Sequence, residues 1–442
     1  MRGTATVKRP PGAIHVDRCD EYGGESAPCY TLAHIQGQVL SVRKALRNMA
    51  RIGQSPPKST RSGLYVAQPS GYRAFLPNAL PPEPPIQING ELQVLLSQAD
   101  RALGRLDGSI QTLPNPDLFV YMYVRKEAVL SSQIEGTQSS LQDVLAAEAK
   151  ILSATLPSDV DEVVNYVRAM NHGLALLQDL PVSVRLIREI HAELLRGVRG
   201  SHLTPGEIRT SQNWIGPSGC SLNEATFVPP PPHEVAACLS ALEKFLHGDS
   251  EIPLLLKIGM AHVQFETIHP FLDGNGRVGR LLIAFLLCER EVLVKPVLYL
   301  SHYFKQHRHE YYNQLQEVRD FGTWENWLIF FLRGVIDVSR QATETARRIL
   351  TLRETHRLSI TEKLGRSAGN GHRVLEHLYE HPIVSVKEVQ DVTGTTYAAA
   401  NNLVAALTGA EILEEITGQS RNRRFMYRSY INLFHLEVTE DD

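Results

Sequence analysis

Apolar residues fall at helical spacings along most of this chain. Pro253 to Ile268 is dense in Leu, Ile, Met, Val and Phe with few breakers, which predicts a buried helix, and Leu281 to Cys288 is again apolar and helical in composition. Upstream, Val124, Ala128, Leu130 and Ile134 draw an approximate stripe along Tyr121 to Ile134, and Gly136 is well placed to stop that helix. The run Pro229 to Pro232 leads into an amphipathic helix over about His233 to Leu246. Between these helices, Pro205 through Gly216 and then Thr226 to Val228 read as a strand, a Gly/Pro/Ser turn and a return strand.

After Gly334 a long helix from Val335 to about Leu358 leads to a Gly/Ser-containing linker near Gly365 to Gly371. Then follow a helix (His372 to Glu380), a short one (Lys387 to Val392) with Ser385 as its cap, and a longer one from Thr396 to about Glu411. Strand-like Ile412 to Thr417 and Arg424 to Tyr430 complete an order similar to a winged helix-turn-helix. Arg421, Arg423 and Arg424 would lie on its wing and suit phosphate contacts, but the second long helix opens Tyr397-Ala398-Ala399-Ala400-Asn401-Asn402 with no Arg or Lys. DNA contact and protein–protein or intramolecular contact therefore stand level. The first sixty residues are rich in Gly, Pro, Ser and charges, and only His34 to Arg51 has helical potential, which predicts weak order.

The chain's 442 residues suggest two or three domains, and 43% hydrophobic residues suffice for their cores. No run of eighteen apolar residues occurs and Met1 to Cys19 lacks an apolar signal core, so neither a membrane span nor a secretory leader is expected. Five scattered cysteines argue against a disulfide scaffold, and the absence of CxxC spacing argues against zinc. A reduced, cytoplasmic protein is the expectation. A net charge of −3 excludes a globally basic nucleic-acid binder without excluding a local patch.

The chemistry concentrates in His269-Pro270-Phe271-Leu272-Asp273-Gly274-Asn275-Gly276-Arg277-Val278-Gly279-Arg280, placed between two apolar helices. A histidine can take a proton from a hydroxyl near neutral pH. A carboxylate such as Asp273 offers the hard oxygens Mg²⁺ prefers. Gly274 and Gly276 permit close backbone approach just before a helix N-terminus, where unpaired N–H groups favour phosphate. Arg277 and Arg280 can grip phosphates with planar forks. A second string, Ser131-Ser132-Gln133-Ile134-Glu135-Gly136, sets Ser131 and Glu135 four apart on one helical face.

The first string resembles the Fic family signature, HPFxDGNGRxxR, at every fixed position, and the second resembles that family's inhibitory motif, [S/T]xxxE[G/N]. The resemblance spans roughly Gly71 to Gly334. It implies a mainly α fold: a Fic-type helical core with a short β-hairpin flap, followed here by the winged helix-turn-helix. It also implies a protein adenylyltransferase that moves AMP from ATP to a Ser, Thr or Tyr hydroxyl of a protein. His269 would be the base and Asp273 would carry Mg²⁺ on the α- and β-phosphates. Asn275 would donate to the α-phosphate and Arg280 would hold the γ-phosphate. Gly274, Gly276, Arg277, Val278 and Gly279 would complete the nucleotide cradle. Tyr311 and Tyr312 match a stretch that lines the base; as neighbours on a helix they point about 100° apart, so at most one should face adenine. Ser131, Glu135 and Gly136 would form a brake in which Glu135 competes with the γ-phosphate for Arg280.

The expected division is an N-terminal extension (1–60), a helical region carrying the inhibitory helix (61–184), a catalytic core (185–335), a connecting helix and linker (336–370) and the winged helix (371–442). The expected partners are ATP, Mg²⁺ and a protein substrate, the chain itself included; DNA at the winged helix and a second copy of the chain are left open. Three rivals also stand: a nucleotide-sensing DNA-binding regulator, a Fic enzyme moving another phosphate-containing group, and reversal, with Glu135 orienting water to remove AMP.

Overall fold

The computed structural model describes residues 59–113, 115–149, 151, 157–217 and 219–434, so the helix expected at His34 to Arg51 lies outside the described residues. All described residues fall in one compact unit. It opens on an antiparallel hairpin, β1 (Gly63–Ala67) and β2 (Arg73–Pro77), with Leu64 opposite Leu76. Five helices follow: α1 (Gly90–Gln111), α2 (Pro116–Ile134), α3 (Leu141–Glu148), α4 (Val160–Leu176) and α5 (Val184–Leu194). Local chemistry sets their ends. The Asn115 side chain accepts from Asp117 N with Pro116 in the first turn of α2, Ser140 and Asp143 form a capping box on α3, and Ser183 caps α5.

α6 (Pro232–His247) leads to the central pair, α7 (Leu254–Ile268) and α8 (Asn275–Glu289). Every residue from Leu255 to Ile268 is buried, as the apolar run required. The motif differs from expectation at one point. Its glycines do not all precede the second helix: Gly274 caps α8 with φ 78°, while Gly276 and Gly279 lie inside it. The apolar run marked the helix body, whereas the left-handed cap sets its true start several residues earlier.

Three helices close the core: α9 (Ser301–Gln306), α10 (Arg308–Phe321) and α11 (Trp324–Leu364). α11 absorbs the expected Val335–Leu358 helix into one unbroken element. The linker expected at 365–371 is a single turn, and α12 (Ala368–Glu380) starts inside it. Gly371 explains why: a Cβ there would lie 2.8 Å from Ile360 Cγ2, so this glycine allows α12 to fold back against α11 rather than acting as a spacer.

The C-terminal region continues with β3 (Ile383–Ser385), α13 (Val386–Thr393), α14 (Tyr397–Gly409), β4 (Glu414–Glu415), β5 (Arg424–Met426) and α15 (Arg428–Ile431). Its strands pair in the order β3-β5-β4, adding a strand that the sequence pattern did not reveal. The few residues between Pro382 and a capping serine are too short a run to show an alternation. This region packs on α2: the rings of Tyr121 and His381 lie 5.9 Å apart, and those of Tyr123 and Phe434 5.6 Å.

The expected flap is reduced to one bridge, Ile215 to Phe227, with N–O distances of 2.9 and 3.0 Å. Prolines at 217 and 229–232 cannot donate to a longer ladder. The returning strand instead meets β2, where Phe75 N donates to Val228 O at 2.8 Å.

Candidate active site

α7 ends at His269 in the left-handed conformation, φ 49°, ψ 61°, which turns the chain sharply into the 270–274 loop. Two side chains hold this bend. Arg209 Nε donates to His269 O at 2.9 Å, and Asn213 Nδ2 donates to Phe271 O at 2.8 Å. The His269 Nδ1 atom is buried with no partner among the described residues. Burial, with the Arg319 and Arg209 charges nearby, pushes the imidazole down to about 4. It is therefore neutral at physiological pH and able to accept a proton.

His269 shares a cavity of about 540 Å³ with Glu135, Gly276, Arg280, Tyr311 and Tyr312, and with Trp214 to Gly216 of the flap. That volume lies in the ~300–1,000 Å³ range of small-ligand sites. Glu266 and Arg319 also line it. Residues of the 269–280 string thus meet the Glu135 carboxylate and the tyrosine pair at one place.

The guanidinium of Arg280 is buried, and Glu127 and Ser131, both buried on α2, and the C-cap Glu135 follow one another at four-residue spacing. Arg280 Nε donates to Ser131 Oγ at 2.8 Å, and its NH2 donates to Ser131 O at 3.0 Å and to Glu135 Oε1 at 2.7 Å. Burial raises the Glu135 pKa, but the charge and hydrogen bond of Arg280 outweigh it and hold the carboxyl below its usual range. Gly136 follows with φ 102°, and Gly136 N and Thr137 N close on Gln133 O and Ser132 O, ending the helix. Glu135 also lies beside the first turn of α8, where only glycine leaves it room: a Cβ at Gly276 would lie 2.2 Å from its Oε1. Its carboxylate thus occupies a helix N-terminus and an arginine fork together, both of which attract phosphate.

Asp273 sits on the far side of the loop, its side chain about one third exposed. Its Oδ1 accepts from Gly274 N at 2.6 Å and stands 3.7 Å from Arg277 NH2. Among the described residues no cluster of three or more His, Cys, Asp or Glu could enclose a metal. A single accessible carboxylate nevertheless suits Mg²⁺, which fills its remaining positions with phosphate and water.

Two motif residues are engaged differently from expectation in this state. Asn275 is turned into the loop, where its Oδ1 accepts from Phe271 N at 2.9 Å and its Nδ2 donates to Phe271 O at 2.8 Å. Arg277 reaches Glu162 of α4, with NH1 3.3 Å from Oε2, and its Nε has no partner among the described residues. Val278 is fully buried, and Gly279 lies against Glu266, whose Oε1 would be 2.3 Å from a Cβ there.

The tyrosines divide as their spacing requires, although both border the cavity. Tyr311 is buried and stacks on Phe304 at 4.4 Å; its hydroxyl donates to His262 Nε2 at 2.9 Å, because His262 Nδ1 is committed to the Gly279 carbonyl. Tyr312 is 40% exposed, with the Arg308 guanidinium 5.4 Å from its ring centre.

Several supporting residues carried no signal in the sequence. His191 of α5 donates from Nε2 to Asp273 O at 3.0 Å, accepts at Nδ1 from Gly206 N at 2.8 Å and stacks on Phe271 at 3.7 Å. It thereby fixes the loop's outer wall. Glu266 stands three residues before His269, buried, with Oε1 unpartnered among the described residues; burial pushes it up to about 7. It is the sole carboxylate of α7, but Lys257, His262 and Gln264 also interrupt that apolar run, so its position gave no signal of its own.

Comparison with known proteins agrees with this geometry. Residues 93–175 match the Fic/DOC family N-terminal region and residues 181–287 match the Fic/DOC family, so that Glu135 falls in the first region and His269 to Arg280 in the second. Curated relatives include proteins named protein adenylyltransferase Fic. That of Drosophila willistoni is 27% identical over 258 residues, 53% of this chain and 47% of that protein. That of Aedes aegypti is 30% identical over 187 residues, 41% of this chain and 32% of that protein. The chain spans half or less of the length of these relatives. Among solved structures, a Fic family protein from Desulfovibrio desulfuricans G20 aligns with a TM-score of 0.52 at 19% identity, over 78% of this chain and 97% of that one, a likeness of fold.

Proposed function

We propose that this chain, a member of the Fic/DOC family, is a protein adenylyltransferase that moves AMP from ATP to a protein hydroxyl and is held inactive by Glu135. The observation that carries the proposal is the Glu135–Arg280 pair at 2.7 Å inside the cavity that also contains His269. A carboxylate there would fill the place a γ-phosphate needs, and the fork it pairs with lines the same cavity as the imidazole.

His269 would take the proton of the incoming Ser, Thr or Tyr hydroxyl as that oxygen attacks the α-phosphorus. The bond to the β-phosphate oxygen breaks, and pyrophosphate leaves. Arg280, once free of Glu135, would hold the γ-phosphate, while the Gly276 backbone allows the phosphates close to the start of α8. Asp273 would hold Mg²⁺, which when bound offsets charge on the phosphates. Tyr312, exposed at the rim, is better disposed than Tyr311 to meet the base, since the Tyr311 hydroxyl is committed to His262. The flap edge at Ile215 would hold the target by strand addition.

Labelled ATP tests the assignment. Glu135→Gly should incorporate label from the α-phosphate and none from the γ-phosphate. Incorporation of γ-label would make the chain a kinase-like member, and no incorporation of either would remove the transferase reading.

For the C-terminal region we favour contact within the chain over DNA. Arg423 NH2 donates to Asn401 at 2.7 Å and Arg424 pairs with Glu388 at 2.9 Å, which leaves Arg421 as the wing arginine without such a partner among the described residues. No helix among the described residues is long and apolar enough to cross a membrane.

A further inference from the structure

Four arginines converge in a groove that shares no residue with the cavity above. It lies between α1 and α11 and has a volume of about 420 Å³, walled by Arg101 and Arg105 on one side and Arg340 and Arg347 on the other. The ion pair Arg333–Glu91, 2.6 Å, fixes the register: the two helices run in the same direction, and Arg105 and Arg347 stand equally far along them from that pair. Spacings of about four and seven residues place the guanidinium stems roughly 6 and 10 Å apart along the axes.

These charges are poorly compensated. Among the described residues, Arg105 and Arg340 have no hydrogen bond or ion pair, and Arg101 only donates to Ser97 O at 3.2 Å. The groove's carboxylate, Glu344, lies 3.9 Å from Arg347 and is shared with Arg348 at 3.4 Å. An arginine cannot shed its charge by losing a proton, so four of them around one concavity repel one another until an anion enters. Their planar forks match phosphate oxygens two at a time. This concentration stands in a chain whose net charge is −3.

We infer that the groove is a binding site for a compact ligand bearing two or three linked phosphates, separate from the nucleotide cavity. Its basic track is short. α1 contains no Lys or Arg other than Arg101 and Arg105, and on α11 the flanking Arg333, Arg348 and Arg353 are already paired with Glu91, Glu344 and Glu376, which leaves little free charge for a nucleic-acid backbone to follow. The volume of this open groove and the length of the rows suit an oligophosphate group instead.

Tripolyphosphate, titrated calorimetrically into the full chain, tests this. Arg280→Ala serves as the background in every arm, so that the nucleotide cavity contributes as little as possible. Adding Arg105→Ala and Arg340→Ala should weaken binding at least tenfold and flatten its salt dependence, while Arg348→Ala, outside the groove, should change it less than twofold. If the double alanine variant does not fold by circular dichroism, Arg105→Gln with Arg340→Gln keeps the side-chain stems and gives the same comparison. Equal affinity with and without the groove arginines overturns the inference, as does an equal loss from Arg348→Ala. A single-stranded oligonucleotide that binds more tightly than tripolyphosphate, and is lost in the same double variant, overturns it in favour of nucleic acid.

Discussion

Replacing Glu135 by glycine should release a transferase activity that the parent chain nearly lacks. The contact to be broken is a charge-assisted hydrogen bond of 2.7 Å from Arg280 NH2 to a carboxylate whose side chain is one third exposed. Such bonds contribute roughly 1.5–3 kcal/mol, and partial exposure places this one toward the lower end, about 1.5–2 kcal/mol. At about 1.4 kcal/mol per tenfold, removing it raises the fraction of chains able to accept a γ-phosphate about 10- to 30-fold. Gly276 plays no part in that figure, because without a Cβ it leaves the carboxylate room. The fork does not lose its orientation, because Ser131 Oγ and O still hold Arg280 at 2.8 and 3.0 Å. The helix tolerates the change as well: residue 135 is the C-cap, and glycine even in a helix interior costs only about 1 kcal/mol. Glu135→Gln keeps the shape but not the charge and should release less. Incorporation of α-labelled ATP into the chain itself, with thermal melting as a check on folding, measures the effect. Unchanged incorporation in Glu135→Gly refutes the brake, and so does full activity in Glu135→Gly with Arg280→Ala, since the fork is then gone.

His269→Ala in the Glu135→Gly background should lower transfer about 10²–10⁴-fold with ATP affinity retained, because a base acts on the hydroxyl rather than on the nucleotide; retained transfer in a rate assay removes the role. Since burial holds His269 near 4, its neutral, competent form persists as pH falls through the ordinary histidine range and is lost only near 4. The pH–rate profile should therefore show no inflection from this group between about pH 5 and 8, and one near 7 that disappears in Glu266→Gln would belong to the carboxyl raised to about 7. His191→Ala leaves the buried Gly206 N–H without its acceptor and should cost roughly 1–3 kcal/mol in a denaturant titration while slowing transfer through a loosened Asp273 loop; unchanged stability would show that water replaces the ring. Ending the chain at Gly365 should expose the Tyr121 and Tyr123 face of α2, lower the melting temperature and loosen the brake on the same helix; an unchanged melt and unchanged self-modification would show the C-terminal region to be independent.

What the sequence determined by itself was the chemistry and the helical frame. The order of residues from His269 to Arg280 was enough to propose a loop suited to phosphate, and the Ser131–Glu135 spacing alone puts both on one face of a helix. The buried helix at Leu254–Ile268 was legible for the same local reason, an apolar run with few breakers. Tertiary structure decided everything that depends on distant contacts. Only folding brings Glu135 to Arg280 across 145 positions and commits the Tyr311 hydroxyl to His262. It also recruits His191, whose value lies wholly in its neighbours Asp273, Gly206 and Phe271, and it brings the arginines of α1 beside those of α11. Hydrogen bonds and charge pairs reach only a few ångströms, so a residue's neighbours in space, rather than along the chain, fix which atoms it can serve.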